Sequence, residues 1–169
     1  RVVARAPTVW ATFADQPADA QAAIVPPVRE MVDGMADFLS AHAATGGLRL
    51  ADYAELDEYC HYAAGTVGML ITNLLTRDGV AQDRSETLYE TAGSFARLLQ
   101  LVNVAKDVHA DFHEENNVYL PATWLAAEDV EQEYVLADRN HDAAARVVDR
   151  TAARARTFLD DAQSYLEAM

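Results

Sequence analysis

The chain has 169 residues, 51% hydrophobic and 24% charged, enough for one domain of ordinary size with a core, and not disordered, collagen-like or low-complexity. Its single cysteine, Cys60, excludes an internal disulfide and a multi-cysteine zinc site. A net charge of -14, from 27 acidic against 13 basic residues, argues against a general nucleic-acid binder and against an anionic membrane surface.

In chain order the pattern is helical throughout. Val9, Trp10 and Phe13 mark a short amphipathic segment ended near Pro17. Asp19 to Ala41 reads as a helix that Pro26-Pro27 breaks or kinks near its middle. Gly46-Gly47 is a loop, and Asp52 with Glu55 forms a capping box that opens a long helix to about Leu75. Asp78-Gly79 signals a turn, and Asp83 with Glu86 repeats the capping box before a second long helix to about Glu115. Asn116-Asn117 ends that helix, and Pro121 opens a short piece through Trp124. From about His141 to Met169, Val147, Val148, Phe158, Leu159 and Leu166 predict one terminal helix. No strand-period run, internal repeat or domain boundary competes, so the fold class is all-α, one packed bundle.

No run of about 18 apolar residues predicts a membrane-spanning helix. No signal peptide is visible, and with one cysteine the expected setting is the reduced cytoplasm. Lys106 is the only lysine and alanine fills roughly a fifth of the chain. That acidic, lysine-poor composition suggests a halophilic cytoplasm, where molar salt screens self-repulsion. The chain begins at Arg1 rather than Met and is expected to be a fragment.

The strongest local signal is a polar stripe. Gln100, Asn103, Asp107 and Asp111 fall within roughly 80° of arc on a helix, flanked by apolar Leu98, Leu101, Val102, Val104, Val108 and Phe112. Two carboxylates one turn apart can share a hard cation such as Mg²⁺, which leaves its other positions for water and phosphate oxygens. Asp-x-x-x-Asp occurs four times, at Asp15/Asp19, Asp33/Asp37, Asp107/Asp111 and Asp138/Asp142, and most such pairs in so acidic a chain are solvated faces. Asp107/Asp111 stands out because amides extend its stripe into an apolar helix. A second spaced set, Tyr59, Tyr62, Thr66, Met69 and Asn73, shares a helix with Gly65 and Gly68. Glycine there allows close approach of a ligand or, as the favoured reading, of another helix. His61 and His109 read as ordinary polar or core histidines, and Cys60 as a small buried hydrophobe.

Three segments together resemble the squalene/phytoene synthase family: Tyr59-Cys-His-Tyr-Ala-Ala-Gly-Thr-Val-Gly68, Gln100-Leu-Val-Asn-Val-Ala-Lys-Asp-Val-His-Ala-Asp111, and Val118-Tyr-Leu-Pro121. The resemblance implies an isoprenoid-synthase bundle and head-to-head joining of two prenyl diphosphates through a cyclopropyl intermediate. It implies Asp107 and Asp111 as ligands for Mg²⁺ (or Mn²⁺), and Tyr59 as the residue that assists proton removal or steadies a carbocation. Gln100, Asn103, Lys106, Tyr62, Ala63 and Thr66 are the implied substrate contacts.

Departures are Lys106 where the family commonly has Arg and, from the squalene branch, Ala110 where an acidic residue is often found and Asn117 near a diphosphate-binding Arg position. Met31 to Leu39 and the Cys60-His-Tyr62 wording lean towards the squalene branch, which implies NADPH; the phytoene branch is the alternative. The family's first aspartate-rich motif would lie upstream. Residues 1–169 are therefore expected to form the C-terminal portion of one such domain, inactive alone, with prenyl diphosphates and no nucleic acid as partners. No transmembrane segment is expected, and peripheral membrane contact for product release is left open. A different class, an acidic helical interaction module without chemistry, would turn the stripe outward to solvent. A degenerate family member would explain the departures by lost activity.

Overall fold

The computed structural model describes residues 3–77 and 79–169. The helices are α1 (Ala6–Ala14), α2 (Ala18–Ala41), α3 (Tyr53–Cys60), α4 (Thr66–Thr76), α5 (Gln82–Glu115), α6 (Ala122–Ala126), α7 (His141–Arg156) and α8 (Leu159–Ala168). Among the described residues there is no strand; one isolated parallel bridge joins Arg49 to Val118. The long α5 is the spine, with α7 and α8 packed along it, α4 against it, and α2 laid on α4.

Local signals set several boundaries. The Asp52 carboxylate accepts the Glu55 N–H at 3.0 Å, while Glu55 reaches back to the Ala51 N–H, so α3 starts where the capping pattern places it. Asn116 adopts the left-handed conformation (φ 56°) and ends α5. Pro121 stands at the N-cap of α6.

Four expectations change. The pair Pro26-Pro27 does not interrupt α2, which runs from Ala18 to Ala41. Pro27 cannot donate to the Ala23 carbonyl four residues back, and the side-chain amide of Asn73 on α4 donates to that carbonyl instead, at 3.1 Å. The helix expected from Asp52 to Leu75 passes through a π-helical turn, His61–Gly65, between α3 and α4. Asp83 does not cap α5; the helix opens at Gln82 with no side-chain cap, and Asp83 sits in its first turn. The terminal helix is two, because the N–H groups of Thr157 and Phe158 turn back to the carbonyls of Arg154 and Ala155, and the Thr157 hydroxyl takes Arg154's carbonyl too. Of the Asp78-Gly79 turn, Asp78 lies outside the described residues, and Gly79 has φ 86°.

The main core joins Phe38, Leu50, Leu56, Tyr59, Cys60, Leu101, Val104 and Leu125. A second cluster, Leu88, Ala92, Tyr165 and Ala168, locks α8 to α5, with Phe95 stacked on Tyr165 at 4.8 Å. In its centre the buried Thr72 hydroxyl meets the Tyr165 hydroxyl at 2.9 Å. A Cβ on Gly68 would stand 3.2 Å from both the Ala92 carbonyl oxygen and Ala96 Cβ, so glycine here serves close packing of α4 on α5.

Candidate active site

The site is the face where the C-terminal half of α5 meets α3 and the Val118–Leu120 segment. That segment is held by side chains whose amides substitute for a ladder. Asn117 Oδ1 accepts the Leu48 N–H at 2.7 Å, its Nδ2 donates to Glu115 and to the Tyr119 hydroxyl, and the Val118 N–H returns to the Leu48 carbonyl. Arg49 donates to both the carbonyl and the side chain of Asn116. Asn117, at a position near a diphosphate-binding Arg in the family pattern, is thus a clip that seats Tyr119.

Tyr119 stacks on Tyr59 with ring centroids 4.6 Å apart, and Phe38 meets Tyr59 edge-on at 6.0 Å. Tyr59 is buried. Burial, then its hydrogen bond to Tyr119, push its phenol far above the ordinary range, and the Asp111 charge adds to this. At neutral pH Tyr59 is a protonated phenol with an accessible-to-neighbours π face, not a phenolate base. Tyr119 is raised for the same first reason, burial.

Asp111 is half-buried and its carboxyl is pushed up to about 6, first by burial and then by the charges of Asp107, Glu115 and Glu114. Asp107, with its side chain 41% exposed, pairs with Lys106 Nζ at 3.3 Å. Both partners being well solvated, that pair is weak and leaves Lys106 free to reach another anion. The structure therefore brings Tyr59, Asp111 and Asp107 into one electrostatic neighbourhood. Gln100 is half-buried and Asn103 exposed on the same side of α5. The stripe is neither sealed in the core nor turned fully to water: its carboxylate end is partly desolvated and its middle is open.

The other expected contacts sit higher in the helix pair. Tyr62 is half-buried with its ring over Gly34 and edge-on to Phe38 at 6.0 Å. Ala63 is half-buried in the π turn. Thr66 is buried and gives its hydroxyl to the Tyr62 carbonyl. Cys60 is fully buried; burial, then the Asp57 charge, push its thiol up to about 12, so it is an inert core group. Tyr119 had no role in the sequence reading; its signal was its place in Val118-Tyr-Leu-Pro121. Arg97, held by both oxygens of Asp57, carried no local signal at all.

Asp107 and Asp111 offer oxygen donors only, on one helix turn, and their mutual repulsion is relieved by a cation. This donor set fits a hard divalent ion such as Mg²⁺. Among the described residues no three His, Cys, Asp or Glu side chains are grouped so as to hold a metal by themselves.

Comparison with known proteins matches residues 1–169 to the family model described as squalene/phytoene synthase. The chain is 30% identical over 152 residues to chloroplastic phytoene synthase 1 of Arabidopsis thaliana, covering 90% of this chain and 33% of that protein. It is 30% identical over 145 residues to squalene synthase R6 of Phoma sp., covering 83% of this chain and 33% of that one. The solved structure of TcSQS in complex with the ligand E5700 superimposes with a TM-score of 0.76 at 25% identity, covering 93% of this chain and 44% of that chain. The chain spans about a third of the length of these two curated relatives.

Proposed function

The chain belongs to the squalene/phytoene synthase family, and from that premise we propose that it supplies half of an active site joining two prenyl diphosphates head to head. The favoured product is squalene from farnesyl diphosphate through a cyclopropyl intermediate, with NADPH as reductant. The observation that carries this reading is the juxtaposition of a crowded carboxylate pair, Asp107 and Asp111, with the neutral aromatic pair Tyr59 and Tyr119.

Each group then has a physical task. Asp107 and Asp111 would hold Mg²⁺, which when bound stabilises the negative charge of a departing diphosphate. Lys106 swings from Asp107 to a phosphate oxygen as a point charge, without the two-pronged grip of arginine. Gln100 and Asn103 orient the diphosphate and its water from the same side of α5. The Tyr59 ring, un-ionised and shielded from solvent by Phe38 and Tyr119, steadies an allylic cation through its π face. Its raised phenol makes this role fit better than proton removal. Tyr62 and Ala63 line the approach, and Thr66 supports that wall from within. A second reading, phytoene from geranylgeranyl diphosphate, is favoured by the identity to plant phytoene synthase, equal to that shared with squalene synthase R6.

In a protein of full family length that contains this chain, Asp107→Asn is expected to cut turnover by at least about a hundredfold with the fold retained, since it removes a ligand charge acting on the leaving group. Farnesyl and geranylgeranyl diphosphate, each with Mg²⁺ and NADPH, distinguish the two products by chromatography. Near-normal product formation by the variant at saturating Mg²⁺ would overturn the metal role.

A further inference from the structure

The opposite face of α5 carries a second ligand set. His109 and His113 are four residues apart, about 160° round the helix from the Asp107/Asp111 pair. Their rings lie side by side, centroids 4.4 Å apart and tilted by 56°. Both are exposed. The chain's other histidines are each tied to a carboxylate: His42 to Glu55 at 3.1 Å, His61 to Glu30 at 2.8 Å and His141 to Asp142 at 3.3 Å. Among the described residues His109 and His113 have no hydrogen bond or ion pair of that kind, and their nitrogens are uncommitted.

They also open onto a space. A cavity of about 480 Å³ lies between α5, α7 and the segment leading into α7. His109, His113 and Lys106 are on its α5 side, and Asp138, His141 and Asp149 line it from the other. Two carboxylates against one lysine, in a chain of net charge -14, draw cations into it.

We propose that His109 and His113 chelate one borderline-soft divalent cation, of the zinc-to-copper class, at this cavity. Paired imidazoles one helical turn apart are the arrangement that zinc-binding helices use, and imidazole nitrogen selects zinc, nickel or copper over magnesium. The ion keeps its remaining positions for water or for a small ligand entering the cavity, because no third protein ligand is grouped with the pair among the described residues. The site is separate in chemistry and position from the oxygen-only donors of the active face.

Zinc sulfate titrated into the 169-residue chain, followed by calorimetry, tests this. One ion per chain is expected, with His109→Ala or His113→Ala raising the half-saturating zinc concentration by at least about tenfold. The double change Asp107→Asn with Asp111→Asn leaves binding within about twofold, and millimolar Mg²⁺ does not displace the ion. With Cu²⁺ as probe, the electron paramagnetic resonance spectrum shows coupling to two imidazole nitrogens that either histidine change removes. His109→Gln and His113→Gln, which keep helix propensity, replace the alanine variants if those lose helicity. No zinc binding by the parent chain, unchanged binding in the histidine variants, or loss of binding in the aspartate variant would each overturn the proposal.

Discussion

Replacing Asp111 by asparagine should stabilise the protein, and only above a defined pH. The Asp111 carboxyl is held at about 6, against 3.8 for a free aspartate, because burial and the charges of Asp107, Glu115 and Glu114 disfavour its ionised form. A folded-state value above the unfolded one means that the folded chain binds the proton more tightly. Stability from this group is then complete below about pH 4 and is lost as pH rises through about 6. A shift of about two units has an upper value of about 3 kcal/mol. The carboxyl is only partly buried, so solvent screening reduces this to about 1 kcal/mol. Asparagine keeps the shape and stays neutral at every pH. Thermal unfolding of both proteins, followed by far-ultraviolet circular dichroism, should give equal midpoints near pH 4 and a variant about 2–4 °C higher near pH 8. A pH-independent difference, or a variant less stable at pH 8, would refute the crowded-carboxylate account.

Three further outcomes follow from packing. Gly34→Ala adds a Cβ that would be driven into the Tyr62 ring, so despite a helix-propensity gain of about 1 kcal/mol the variant should lose about 2 kcal/mol in urea unfolding; a net stabilisation would contradict it. Thr72→Val strands the buried Tyr165 hydroxyl and should cost about 2 kcal/mol, whereas adding Tyr165→Phe removes both partners and should recover most of the loss, measured as a double-mutant cycle. Asn73→Ala leaves the Ala23 carbonyl without its donor and should cost about 1 kcal/mol, with faster amide exchange in the middle of α2 as the local readout.

What was legible in the sequence was what short-range chemistry decides. The Asp52 cap, the Asn116 stop and the spacing that puts Asp107 and Asp111 on one face depend on residues within a turn or so of each other. The survival of α2 through two prolines depends on an amide 50 positions away in sequence, and no local signal carries that. The α7–α8 break is likewise hidden, since Thr157 and Phe158 are compatible with helix and only their backbone bonds reveal the turn. At the site, residue types were visible but environments were not. That the Tyr59 phenol is raised follows from burial and then from Tyr119, 60 residues on, and that the Asp111 carboxyl is raised follows from burial and then from the charge of Asp107. The spacing of His109 and His113 is visible in the sequence, but each alone reads as an ordinary polar or core histidine, and the ring-to-ring contact makes them a pair.

The π turn at His61–Gly65 has a consequence for how this chain can change over time. A π turn holds one residue more than the α-helix it interrupts, so everything after it is rotated by about 100° relative to an unbroken helix. That rotation sets the phase between Tyr59, before the turn, and Gly68 and Thr72, after it, which meet α5 and α8. Substitutions within residues 61–65 act one side chain at a time. Loss of a single residue there would straighten the helix and force a choice between the aromatic pair and the α4–α5 seam. In this window residue number is under tighter constraint than residue identity, and insertions and deletions should be purged where replacements persist.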